Sequence, residues 1–324
     1  MSLTVGTRLG HLTMSSPSWA RGDGEGIACN LTAPVTHFET IGVEGNVGDH
    51  NSSLTRVQPI FDELLDRGSD GDPWLSELWD MAALTRPGVA LSKPIGLGKL
   101  LASETPPARA ARLGTVYERT VAPPAAFLRW LLGNPQRMEV RDSMNFGAKS
   151  VGARHWRGKL FSGDTRLVSE AQDEGLRQLG KRLAQRGRNK WWAFEGFSHI
   201  DCCLITSQCV LFVEGKRTER VSPSTLWFQQ RSQLWRNVEA AKEFASDKQF
   251  AVILAVEREA DGTTALAKAA SSLEGSYPHL DSGQRAELSR HLIGFVTWRE
   301  VVTRFGLRPE CLLDQVSKSS PSPP

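Results

Sequence analysis

The chain has no apolar run approaching the ~20 residues that cross a bilayer, no CxxC pair and no dominant sign of charge. Each absence narrows the field. The opening stretch MSLTVGTRLGHLTMSS lacks the continuous apolar core of a secretory leader, so a soluble cytoplasmic protein is expected. The five cysteines, at 29, 202, 203, 209 and 311, form no even framework, which favours reduced thiols over a disulfide scaffold. Cys202 and Cys203 are adjacent on a predicted strand and read as small buried hydrophobes. A formal net charge of +3 is too small to declare a nucleic-acid binder; only local clustering of charge could do so. NLT at 30 and NSS at 51 match glycosylation acceptors, but nothing routes the chain to the secretory pathway.

What is present is enough apolar residue, 40% of 324 positions, for one large core or two small ones. Residues 1–54, rich in Gly, Ser, Thr and Asn, are expected to be irregular or partly disordered, and no chemistry is assigned to them. Residues 55–150 carry helical periodicity in VQPIFDELLDRG, WLSELWDMAALTRPG, ARAARLGTVYERTV and PPAAFLRWLLGNP. From 151 to 260 the expected order is helix, strand, strand, strand, helix, strand. The first helix puts Leu176, Leu179 and Leu183 on one stripe and closes at Gly187, and KWWAFEG follows as a short strand. The second helix is read from a Ser224 cap with the stripe Trp227, Leu234, Val238, Ala241 and Ala245, and FAVILAVE is the last strand. Residues 261–316 read as a polar stretch followed by a helix over RAELSRHLIGFVTWREVVTRFG, and 317–324 as a disordered tail.

The chemistry concentrates in HIDCCLITSQCVLFVEGK. A two-residue turn at Ser207 and Gln208 sets Thr206 opposite Cys209 and, counting outwards, Asp201 opposite Glu214. Directly opposed residues have Cβ atoms ~5 Å apart, where like charges repel. Strand alternation brings Lys216 to the face of Glu214. Two carboxylates and an ammonium suit a divalent cation, since Mg²⁺ is held by one or two carboxylates, waters and phosphate oxygens. A lysine beside it can serve the attacking water in phosphodiester hydrolysis. An ordinary ion-pair cluster in an unrelated α/β protein is the other reading of the same three residues.

With Asp201 starting one strand and Glu214-Gly215-Lys216 ending the next, residues 165–258 resemble the PD-(D/E)XK nuclease superfamily. The resemblance implies a restriction-endonuclease-like αβββαβ core in the α/β (α+β mixed sheet) class, here with a helical N-terminal extension and a C-terminal helix. It implies Mg²⁺, with Mn²⁺ as substitute, bound by Asp201, Glu214 and the Gly215 carbonyl, and Lys216 serving the nucleophilic water. Members often add a further acid, for which Asp173 and Glu195 are the candidates, and a polar residue on the second helix, for which Gln233 and Asn237 are placed. His199 lies two residues before Asp201 and reads as structural. The partner implied is nucleic acid, in the first place DNA, with a homodimer left open. The alternative is a catalytically idle nucleic-acid-binding or assembly module.

Ten basic residues between Arg154 and Lys190 face four acids, and Lys216, Arg217, Arg220, Arg231 and Arg236 add to the positive charge near the motif. A solvated helix end explains the first group equally well. Trp191 and Trp192 are expected in a core.

Overall fold

The computed structural model describes residues 52–68, 71, 73–94, 96–101, 119–139, 150–182 and 191–313, which fall within one compact unit, Asn46–Pro324. Most of the 1–54 segment, the 317–324 tail, Cys29, Leu183, Gly187 and residues 108–118 of the helix expected over 108–121 lie outside the described residues.

A turn of π-helix, Ser53–Val57, runs into α1 (Gln58–Arg67), and α2 (Trp74–Ala83) follows. The apolar positions that the periodicity marks, Ile60, Phe61 and Leu64 in α1 and Leu75, Leu78 and Trp79 in α2, are buried. The chain continues through β1 (Arg119–Val121), α3 (Ala125–Gly133), α4 (Val151–Leu160) and α5 (Thr165–Arg182). Next come β2 (Ser198–Ile200), β3 (Cys202–Ile205), β4 (Cys209–Gly215), α6 (Gln233–Ala245) and β5 (Gln249–Val256). The last elements are α7 (Glu259–Ser276), α8 (Ser282–Ser289), β6 (Leu292–Thr297) and α9 (Trp298–Arg304).

The main sheet is mixed, in the order β3-β4-β5-β6. β3 and β4 are antiparallel, whereas β4–β5 and β5–β6 are parallel. Parallel strands need crossovers, supplied by α6 and by α7 with α8, and a sheet so built is covered on both faces, which is why its strands read as unbroken apolar runs. On one face Cys202, Leu204, Leu211, Val213, Ile253 and Ala255 meet α1, α2 and α9. On the other, Cys203, Ile205, Phe212, Val252 and Leu254 meet Leu234, Trp235 and Val238 of α6.

Several expectations are corrected. WWAFEG is not a strand: Trp191, Trp192 and Phe194 are buried in a third cluster with α3, α4 and α5, and pairing gives way to aromatic packing. The strand that does precede Asp201, β2, pairs with β1 rather than joining the main sheet. Arg119–Val121, expected as helix, is that partner. The face of α5 that packs carries Ala171, Gly175 and Leu179, while Leu176 is 42% exposed. A Cβ on Gly175 would press within 2.8 Å of Leu132, so small residues set the packing face and the leucine stripe does not. No residue of the main sheet belongs to that cluster. α6 begins at Gln233, so Trp227 precedes it and Ser224 does not cap it, whereas Leu234, Val238, Ala241 and Ala245 form its buried stripe as expected. The polar stretch after 258 is the helix α7, and LIGFVT, read as helix, is the fourth strand β6; a short apolar run of that length fits either period.

Candidate functional site

β3 and β4 pair in the expected register, from Ile205 with Val210 to Cys202 with Val213, and the Thr206 N–H donates to the Cys209 carbonyl at 2.8 Å. One step beyond Cys202 the pairing brings Asp201 beside Glu214. Asp201 forms the break between β2 and β3, at the edge of the sheet, where β4 ends. Asp201 and Glu214 are 8% and 2% exposed.

Glu214 is held on every side. Its Oε1 accepts from Gln233 Nε2 at 2.6 Å and lies 2.7 Å from Lys216 Nζ, and its Oε2 accepts from Asn237 Nδ2 at 2.7 Å. Gln233 and Asn237 are one helical turn apart on α6, so one face of that helix presents both amides. The Asn237 Oδ1 is buried and has no hydrogen-bond partner among the described residues. Asp201 Oδ2 accepts from the Gly215 N–H at 2.8 Å and Oδ1 from the Ser53 hydroxyl at 2.7 Å. The Gly215 carbonyl accepts from the Ser52 hydroxyl at 2.9 Å. Burial, then the neighbouring Glu214, push Asp201 up to about 7 against the opposing pull of Lys216. Burial also works against the Lys216 ammonium, but Glu214 and Asp201 outweigh it and hold its pKa above the ordinary value.

The sequence therefore places Asp201, Glu214, Gly215, Lys216, Gln233 and Asn237 together, and the structure joins them. It does not join Glu195. That carboxylate is buried against Arg231, at 3.2 and 3.3 Å, with Arg236 at 3.9 Å. Arg231 also meets Glu239 at 2.8 Å and stacks over Phe127 at 4.0 Å. Glu195 is consumed by a buried guanidinium in a separate ionic cluster, and Asp173 is exposed on a helix that packs elsewhere. His199 is an exposed residue of β2. Ser52 and Ser53 belong to the segment to which no chemistry was assigned. A serine pair in a Gly- and Ser-rich stretch carries no periodic signal, and only the three-dimensional contact reveals them.

The basic run is also thinner than its count. Arg157 is buried, donating to the Trp191 carbonyl at 2.8 Å beneath the Trp227 ring, and burial lowers its pKa to about 10. Lys159 pairs with Glu170 and Arg177 with Glu174, at 2.6 Å each. Arg186, Arg188 and Lys190 lie outside the described residues. Cys202, Cys203, Cys209 and Cys311 are buried and form no disulfide; burial raises Cys202 well above its ordinary value and Cys209 to about 12, which removes thiolate chemistry at those two residues at neutral pH.

Among the described residues, no three His, Cys, Asp or Glu side chains converge as a metal cluster, and no helix is long and apolar enough to cross a membrane. Two carboxylates and a backbone carbonyl do fit Mg²⁺, which completes its shell with water and substrate oxygens. Asp201 Oδ1, Asp201 Oδ2, Glu214 Oε2 and the Gly215 oxygen accept hydrogen bonds from Ser53, Gly215, Asn237 and Ser52, and an sp² oxygen has two lone pairs to offer. No family model matches this chain, and neither a curated protein nor a solved structure matches it.

Proposed function

We propose that the protein is a metal-dependent nuclease that hydrolyses phosphodiester bonds, an endonuclease with DNA as its first expected substrate. The observation that carries this reading is the junction of Asp201, Glu214 and Lys216 where β4 ends and β3 begins. Two acids are buried side by side there, and the Lys216 ammonium lies against Glu214. Such an arrangement opposes stability unless a cation uses it. Asp201, Glu214 and the Gly215 carbonyl are the groups that would hold Mg²⁺ or Mn²⁺. When bound, the cation lowers the pKa of a coordinated water and neutralises charge on a phosphate oxygen.

The remaining work falls to the chain. Gln233 and Asn237 fix the Glu214 carboxylate in one orientation. Lys216, kept as a cation by its contact with Glu214, orients the water and stabilises charge developing on the phosphate. The unpartnered Asn237 Oδ1 is a buried acceptor of the kind that binds water.

The test is nicking of supercoiled plasmid in Mg²⁺ or Mn²⁺ at low salt, by wild type and by Asp201→Asn. Nicking by wild type alone is the expected result; equal nicking by both would sink the assignment. That each acid already has protein partners on both oxygens favours one other reading, a catalytically idle nucleic-acid-binding module. Salt-sensitive DNA binding with no product in either metal would select it.

A further inference from the structure

Ser52 and Ser53 reach the site from far away in the chain, and they reach the two groups that the acid pair cannot orient by itself. We infer that they are positioning residues for the cation site: Ser53 sets the plane of the Asp201 carboxylate and Ser52 the direction of the Gly215 carbonyl. The inference rests on reading Asp201, Glu214 and Gly215 as cation ligands.

A carboxylate turns freely about its terminal bond unless both oxygens are held. Here the Gly215 N–H at 2.8 Å and the Ser53 hydroxyl at 2.7 Å take one oxygen each, which fixes the plane. The adjacent Ser52 hydroxyl, at 2.9 Å from the Gly215 oxygen, does the same for the backbone ligand. These are the outer donors that orient ligands in metal sites generally.

The segment bearing them is seated too firmly to be a lid. Val57 is fully buried and Arg56 nearly so; the Arg56 guanidinium makes two bonds, 3.0 and 3.2 Å, to Glu257 just after β5. Val57 lies against Gly215, where a Cβ would come within 2.5 Å of Val57 Cγ2 and 3.1 Å of Trp298. The glycine between Glu214 and Lys216 is thus the residue that lets the serine segment approach. Seat and hydroxyls are separate observations, and both point to residues 52–57 as part of the site.

The experiment is calorimetric titration of Mn²⁺ into the full chain, with the electron paramagnetic resonance spectrum of bound Mn²⁺ and the metal-free melting temperature measured on the same samples. The variants are Asp201→Ala, Ser53→Ala, Ser53→Thr, Gly215→Ala, Val57→Ala and the Gly215→Ala/Val57→Ala double variant. Ser53→Ala is expected to weaken Mn²⁺ binding about 10- to 100-fold, with an altered spectrum and a nearly unchanged metal-free melt. Ser53→Thr, which keeps the hydroxyl, restores binding. Gly215→Ala weakens binding by unseating the segment, and adding Val57→Ala recovers it by removing the clashing methyl. If wild type binds Mn²⁺, Asp201→Ala does not, and Ser53→Ala binds as tightly as wild type or tighter, the positioning role is overturned while the cation site stands. If wild type binds no Mn²⁺, the cation site and the positioning role fall together.

Discussion

Glu214 and Asp201 are two acids buried side by side, yet their removal has opposite structural consequences. Glu214→Ala strips the acceptor from two amides and leaves the Lys216 ammonium buried without its partner, a loss of about 3–5 kcal/mol for a broken buried pair. Urea unfolding of the variant should show it. Asp201→Asn keeps both contacts, one of them reversed: its amide oxygen accepts from the Gly215 N–H, and its amide nitrogen donates to the Ser53 hydroxyl, which in wild type is the donor. It also removes one of two neighbouring acids, so it should melt no lower than wild type in the absence of metal. Inactivity in Glu214→Ala alone is therefore ambiguous, whereas inactivity in a well-folded Asp201→Asn is a statement about chemistry.

His291 supplies a pH dependence remote from the site. Its ring stacks on Phe250 at 3.8 Å between centroids and its Nδ1 lies 2.8 Å from the Phe250 carbonyl. Burial lowers its pKa below the ordinary 6.5, only partly offset by that carbonyl and by Glu287. A group with a depressed folded-state pKa favours the fold while deprotonated. Its stabilisation is present above pH 6.5 and is lost as pH falls through the lower folded value. Melting curves between pH 7.5 and about 5 should fall more steeply for wild type than for His291→Phe, which retains the stack and cannot charge; parallel curves would remove His291 from the acid response.

At the scale of elements, the fourth strand shows how a sheet edge is closed. β6 shifts register against β5 between Val252 and Ile253, where Gly294 takes φ +154°. A Cβ there would meet the Ala82 carbonyl oxygen at 2.2 Å and Thr85 Oγ1 at 2.3 Å. The same Thr85 hydroxyl accepts from the Phe295 N–H at 2.9 Å, and Arg86 donates to the Leu292 carbonyl, so the end of α2 covers the backbone groups that an edge strand leaves open. Gly294→Ala should cost more than about 2 kcal/mol, as a backbone-limited clash with no rotamer to yield, measured by urea denaturation.

What could be read in the chain divides along this line. The hairpin was legible because a two-residue turn and strict alternation fix its register, and with it the meeting of Asp201, Glu214 and Lys216. Gln233 and Asn237 were legible because four residues make one helical turn. β6 was not, since LIGFVT is too short to declare a period, and α7 was not, since its packing stripe is thin, only Ala265, Leu266, Ala269 and Leu273 in an otherwise polar stretch. Glu195 misled because local sequence marks an acid as available and cannot reveal the distant Arg231 that claims it. Ser52 and Ser53 were invisible because their partners are 163 and 148 positions away.

For the whole molecule, α1, α2 and α9 share one hydrophobic cluster with the main sheet, so these helices and the sheet are expected to melt together. Calorimetry should give a single transition for the unit; two resolved transitions would contradict it. The electrostatic footprint is smaller than the composition suggests. Each phosphate contact adds about −0.9 to the slope of log affinity against log salt. Arg157, sealed beneath aromatic rings, should contribute nothing to that slope. Arg157→Ala is expected to lower the melting temperature and, on the proposed nucleic-acid reading, to leave the salt dependence of DNA binding unchanged.

The π-helical turn at Ser53–Val57 also bears on when this protein can first work. It is made early, but Glu257, which anchors Arg56, follows 201 residues later, and the Trp298 that flanks the Val57 seat later still. At about 5–20 residues per second on the ribosome, Arg56 emerges about 10–40 s before its anchor. Throughout that interval Arg56 lacks its Glu257 partner and Val57 lacks the Trp298 side of its seat. Both acids are already synthesised by then, but the seat of the segment that holds Asp201 is complete only once Glu257 and Trp298 have been made.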